Sequence, residues 1–179
     1  SGGITCIDIP ILDRIRADGY DVTHGRNGKS HYIKRLVRQI RSEGLFGHKH
    51  IPLTYFSASI DQRRALLQGL MDTDGHYHSS DGKAVFVQIP GRLCDNVEEL
   101  ARGLGYDVRR YQYANDHQGF VQLHWRADQH TFFIPRKRDQ VHNDGTWFRQ
   151  GNGFVIDSIE RAQTDQGRCI QVAGGRYLT

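Results

Sequence analysis

SASIDQRRALLQGLMDTDG, residues 57 to 75, is the stretch from which the fold can be read. Ser59 followed three residues later by Gln62 fits a capping box, and Asp61 falls in the first turn of the helix it would open. Leu66, Leu67, Leu70 and Met71 build one apolar stripe, so a helix is predicted from about Ile60 to Asp74. Its far end breaks local rules. Asp72 and Asp74 fall where the helix dipole favours cations, and Gly69 removes a side chain in mid-helix, at about 0.5–1 kcal/mol against Ala. Rules broken together mark functional sites. The expected solution is a helix packed closely on a second helix through Gly69, with its carboxylate tip in a site for a divalent cation. A buried helix ending in a solvated Asp-rich turn also suits the same residues.

Working outward, the chain repeats itself. Residues 4–22, ITCIDIPILDRIRADGYDV, and 85–108, VFVQIPGRLCDNVEELARGLGYDV, each give a β-rich run, an Ile-Pro step, an amphipathic helix and then Gly-Tyr-Asp-Val. Ile51-Pro52 answers Ile134-Pro135 at nearly the same spacing. The predicted helices carry Ile11, Leu12 and Ile15 in one half and Leu93, Val97, Leu100 and Leu104 in the other, closing at Gly19 and Gly105. Hairpins are predicted around 25–28, joining strands 20–23 and 30–36; around 80–82, joining 75–79 and 83–89; and around 115–119, joining 107–113 and 120–126. Val121, Leu123 and Trp125 alternate with Gln122, His124 and Arg126, which predicts a core face and a basic polar face. The Gly- and Asn-rich stretch 143–153 reads as a linker, with two further strands at 154–159 and 168–172. The fold class expected is α+β.

Composition limits the function. The 179 residues carry 24 Lys plus Arg against 20 Asp plus Glu, a formal charge of +4, with 10 His; the isoelectric point is about 9.1 and the mean hydropathy −0.61. Nucleic acid is a reasonable partner. No apolar run approaches the roughly 18 residues of a membrane span, so no membrane role is expected. Cys6, Cys94 and Cys169 are far apart and form no C-x-x-C pair, so they read as reduced, buried thiols of a cytoplasmic protein.

Leu67 to Gly75, LQGLMDTDG, resembles the motif of the LAGLIDADG homing endonucleases, matching at Leu67, Gly69, Leu70, Asp72, Asp74 and Gly75. HKHIPLTY (48–55) upstream resembles the stretch before the second such motif in inteins. The resemblance implies two αββαββα halves forming a saddle with pseudo-twofold symmetry over DNA. Residues 1–56 would be a truncated first half and 57–145 the second half, with its motif helix at 60–74. Residues 154–179 would be incomplete strands of an all-β splicing domain. The chain is expected to be a fragment, cut past the first motif, of a parent that works as a monomer with a host protein. That parent would be a site-specific double-stranded DNA endonuclease using Mg2+. A catalytically inactive DNA-binding module or an RNA-binding maturase on the same fold is the alternative.

On the same resemblance, Asp74 binds metal and is catalytic while Asp72 is structural. Leu66, Gly69, Leu70 and Gly75 would lie at the helix interface. Lys49 stands where a Lys precedes the Ile-Pro step in intein endonucleases, and Lys137 is its nearest counterpart in the second half. Each could equally be a solvated or phosphate-binding Lys. His76 and His78 would share one strand face, which suits base contact better than zinc without a third ligand. Arg109, Arg110, Gln112, Gln122, His124 and Arg126 have donors suited to base edges and phosphates, on a β-ribbon of the kind that fits the major groove.

Overall fold

The computed structural model describes residues 2–114 and 119–141. The chain divides into units 1–146 and 147–179, and the described residues lie in the first. Residues 115–118 of the turn expected at 115–119, the linker, the later strands and Cys169 lie outside the described residues.

In chain order the elements are β1 (Gly3–Thr5), α1 (Ile9–Ala17), β2 (Val22–His24), β3 (Ser30–Ile33), α2 (Leu36–Ser42), a 3-10 turn (Leu53–Tyr55), α3 (Ile60–Asp74), β4 (Gly75–His78), β5 (Lys83–Gln88), α4 (Arg92–Gly103), β6 (Arg109–Tyr113), β7 (Phe120–Arg126) and α5 (Pro135–Arg138). Two antiparallel sheets result, ordered β1-β3-β2 and β4-β5-β7-β6. This is an α+β architecture. The order β1-β3-β2 recurs as β5-β7-β6, with a helix after the first strand of each set, so the sequence repeat is a repeat of connectivity.

Helix α3 spans the residues predicted for it, and its capping box is formed. The Ser59 N–H donates to Gln62 Oε1 at 3.1 Å and the Gln62 N–H donates to Ser59 Oγ at 3.3 Å. Leu67 and Met71, 1% and 0% exposed, fix α3 in a core shared with Phe86 of β5, Val97 and Leu100 of α4, Val121, Leu123 and Trp125 of β7, and Phe132. Leu66 and Leu70 pack against that core from its margin.

One expectation needs correction. Residues 30–36 do not form one strand: β3 ends at Ile33, Arg35 takes φ 66°, and α2 starts at Leu36. Alternation into Leu36 read as strand because the reversal rests on one Arg with positive φ, a conformation its side chain does not advertise. The two glycines expected at a helix interface on α3 stand in different surroundings. A Cβ on Gly69 would meet nothing within 4 Å. Gly69 borders a cleft of about 280 Å³ lined also by Ile11 and Ile15 of α1 and by Phe133. Gly75 has no space: a Cβ would lie 2.8 Å from the Met71 carbonyl oxygen and 2.7 Å from its sulfur. The chain passes from helix to strand at Gly75 with no loop between, and the tight turn onto Met71 excludes a side chain.

The two glycines therefore respond oppositely to the same change. Gly69→Ala should raise stability by about 0.5–1 kcal/mol through helix propensity, and Gly75→Ala should lower it by about 1–3 kcal/mol through overpacking. Urea unfolding of both variants checks this; destabilisation by Gly69→Ala would contradict the open surroundings of that residue.

Candidate nucleic-acid interface

The junction between α3 and β4 separates its two carboxylates. Asp72 is 6% exposed and its Oδ1 accepts from the main-chain N–H groups of Phe133, at 3.1 Å, and Ile134, at 3.3 Å. Burial pushes its carboxyl above the ordinary value, against those two N–H groups and the charge of Lys137. Asp74 is exposed, and its carboxylate has no hydrogen-bond or ion-pair partner among the described residues. As expected, Asp72 is structural. Asp74 is the carboxylate left at the tip.

The structure also explains how a helix ending in carboxylates tolerates its own dipole. Lys137 reaches back from α5, and its Nζ donates to the carbonyls of Met71 at 2.9 Å, Asp72 at 2.7 Å and Gly75 at 2.6 Å. All three ammonium protons are directed at main-chain oxygens of the helix-to-strand junction, where the Met71 carbonyl also accepts the Gly75 N–H. Burial pulls this ammonium below its ordinary value, and the Asp72 carboxylate opposes the shift. Beside it Arg136 grips Asp8, at the start of α1, through two bonds of 3.1 and 2.9 Å; that hydrogen bonding holds the Asp8 carboxyl below the usual range. Sequence reasoning named Lys137 but not its cap, because a cation 63 residues beyond the helix leaves no local signal. Lys49 is exposed and lines a separate cleft of about 790 Å³ with Phe46, Ile89 and Arg92; Asp74 is not part of that lining.

The expected nucleic-acid contacts divide by strand register. Arg109 pairs with His124, Tyr111 with Gln122 and Tyr113 with Phe120; on β5, Val85 pairs with His124 and Lys83 with Arg126; His76 and His78 of β4 pair with Val85 and Lys83. Residues paired across strands share a face. His76, His78, Gln122, His124, Arg126 and Arg109 thus lie together on the face opposite Leu123 and Trp125, joined by Lys83, Tyr111 and Tyr113. Arg110 and Gln112 do not. They pair with Leu123 and Val121, on the helix-covered face, where Arg110 binds Asp95 at 2.8 Å and Glu98 at 2.9 Å. Grouping neighbours 109, 110 and 112 ignored the period of two. The same alternation, applied along β6, would have excluded Arg110 and Gln112 and found Tyr111 and Tyr113.

Electrostatically the open face is cationic with adjustable members. Burial holds the His76 and His124 imidazoles below their ordinary value. His124 Nε2 lies 2.9 Å from Gln122 Oε1. Asp81 is the acidic member at one end, bound to His78 at 2.8 Å and Lys83 at 2.7 Å. Among the described residues no group of three His, Cys, Asp or Glu is placed to hold a metal ion. Nor is any helix among them long and apolar enough to cross a membrane.

No protein-family model matches the chain. Among curated proteins, the chain is 31% identical over 185 residues to a protein described as replicative DNA helicase DnaB, from Mycobacterium intracellulare; the match takes in 98% of this chain and 30% of that protein. The chain thus spans less than a third of the length of the curated relative it matches. This corrects the family expected from LQGLMDTDG. A likeness that runs along nearly the whole chain is to a protein bearing a helicase's name, and the assignment to LAGLIDADG homing endonucleases of inteins does not stand.

Removing the ammonium of Lys137 tests the junction. Lys137→Met takes the ammonium from three carbonyls, of which that of Met71 keeps the Gly75 N–H as a donor, and should cost about 1–3 kcal/mol, as for buried groups left unsatisfied, whereas Arg136→Ala, which breaks a more exposed pair, should cost under about 1 kcal/mol. Equal costs in chemical denaturation would contradict the cap.

Proposed function

We propose that the protein is a site-specific double-stranded DNA endonuclease that hydrolyses phosphodiester bonds with divalent metal, its open sheet face holding DNA and Asp74 standing at the reacting end. The observation that carries the reading is the gathering, on one face of β4-β5-β7-β6, of Arg109, Lys83, Arg126, Gln122 and three histidines, with Asp74 one residue before the first strand of that sheet. The relative described as a DNA helicase is in keeping with a DNA partner.

The chemistry fits these residues. Arg109, Lys83 and Arg126 suit backbone phosphates, and Gln122 with His124 suits base edges in a major groove. Mg2+ keeps several waters and is held by one or two carboxylates plus substrate phosphate, so Asp74 would hold it without a protein cage. When bound, the ion would supply charge for the phosphoryl oxygens and a more acidic water. Lys137 and Asp72, engaged with the main chain, keep the tip in place and leave Asp74 the free carboxylate. The repeated strand order supports reading the sheets as two related halves of a saddle with pseudo-twofold symmetry. A DNA-binding module without catalysis is the second reading, favoured by the single exposed carboxylate at the tip.

One substitution separates the two. With Mg2+ and double-stranded DNA containing the target site, Asp74→Asn should reduce cleavage at least about 10- to 100-fold, the scale on which removing metal-site groups acts, while binding in EDTA is kept. Unchanged cleavage would overturn the role of Asp74; binding with no cleavage by the unaltered protein would establish the second reading.

A further inference from the structure

The last strand of the open face carries a chemistry that duplex contacts do not use. Along β6, Tyr111 and Tyr113 alternate onto the same face as Arg109 and are 40% and 42% exposed. Both rings are held by a neighbouring ring rather than left loose, Tyr113 through one of its faces. Tyr113 stacks on Phe120, with centroids 4.8 Å apart and planes at 18°. Tyr111 meets His124 edge to face at 4.9 Å and 67°, and His124 is itself fixed to Gln122. Their partners limit the rotamer freedom that ligand binding would otherwise remove.

Spacing decides what such a pair can meet. Residues two apart on a strand lie about 6.6–6.8 Å apart. Paired bases in a duplex repeat at about 3.4 Å, with their flat faces closed against one another. Two exposed rings at about twice that rise match bases splayed from an extended single strand, and every base has a π face to offer. Arg109 lies on the same face next in alternation, where a phosphate of that strand would pass.

From this geometry we infer that Tyr111 and Tyr113 form a stacking platform for unpaired bases of a single-stranded nucleic acid at the β6 edge of the sheet. The inference rests on reading the open face as the nucleic-acid surface. The shared chemistry is the unpaired base, carried by DNA or RNA.

The test is fluorescence anisotropy of the full chain with labelled oligothymidylate, labelled oligouridylate and a DNA duplex of equal length, across a salt series. Tyr111→Leu and Tyr113→Leu should each weaken single-strand binding by about 5- to 150-fold. The slope of log K against log salt should be unchanged, because no phosphate contact is lost. Tyr111→Phe and Tyr113→Phe, which keep the ring, should bind as the parent does. Loss with both single strands assigns the platform to bases of either polymer, and loss with one assigns it to that polymer. Leu variants that bind as the parent does, or that lose affinity through a changed slope, overturn the platform. So does a chain that binds duplex but neither single strand, in which case the face reading survives; a chain that binds nothing removes both.

Discussion

The end of α3 depends on a reciprocal clasp. Asp72 takes the N–H groups of Phe133 and Ile134, and four residues along the same segment Lys137 returns three donors to the carbonyls of Met71, Asp72 and Gly75. Each half supplies what the other lacks. The helix end has carbonyls without partners and the extended segment has N–H groups that no strand satisfies, so burying either alone would leave main-chain polar groups without hydrogen bonds. With both joined, the chain can turn from helix into strand at Gly75 without a loop. The turn sends Asp72 inward and Asp74 outward. Arg136 extends the same segment to Asp8, tying the start of α1 to it as well.

That constraint sets the open sheet. β4 begins at the clasp, and its pairing of Gly75 with Phe86 fixes the register through β5, β7 and β6. A slip of one residue would move every side chain to the other face. It would bring Arg110 and Gln112 out and bury Arg109, Gln122 and His124. The basic face, the tyrosine pair and the position of Asp74 are thus consequences of one register, and Phe86, Leu123 and Trp125 hold it by filling the core on the opposite side.

The sequence revealed the parts of this that are written in local pattern. Ser59 and Gln62 gave the start of α3, the alternation along 121–126 gave β7 and its two faces, and the repeated Ile-Pro and Gly-Tyr-Asp-Val steps gave the doubled connectivity. What stayed hidden depends on partners far along the chain or on a single backbone angle. Lys137 looked like a reactive cation because its carbonyl acceptors are more than 60 residues away. Arg35 concealed the end of β3, and no local pattern told the open space at Gly69 from the crowding at Gly75. A family motif read from LQGLMDTDG pointed to one lineage, and the likeness along the whole chain pointed elsewhere.

Two neighbouring arginines test the open face most directly. Arg109 stands on it and Arg110 stands behind it, bound to Asp95 and Glu98. In salt titrations of DNA binding, Arg109→Ala should reduce the slope of log K against log salt by about 0.9, the loss of one phosphate contact, and Arg110→Ala should leave the slope unchanged. Equal reductions, or a reduction confined to Arg110→Ala, would contradict the assignment of that face to nucleic acid.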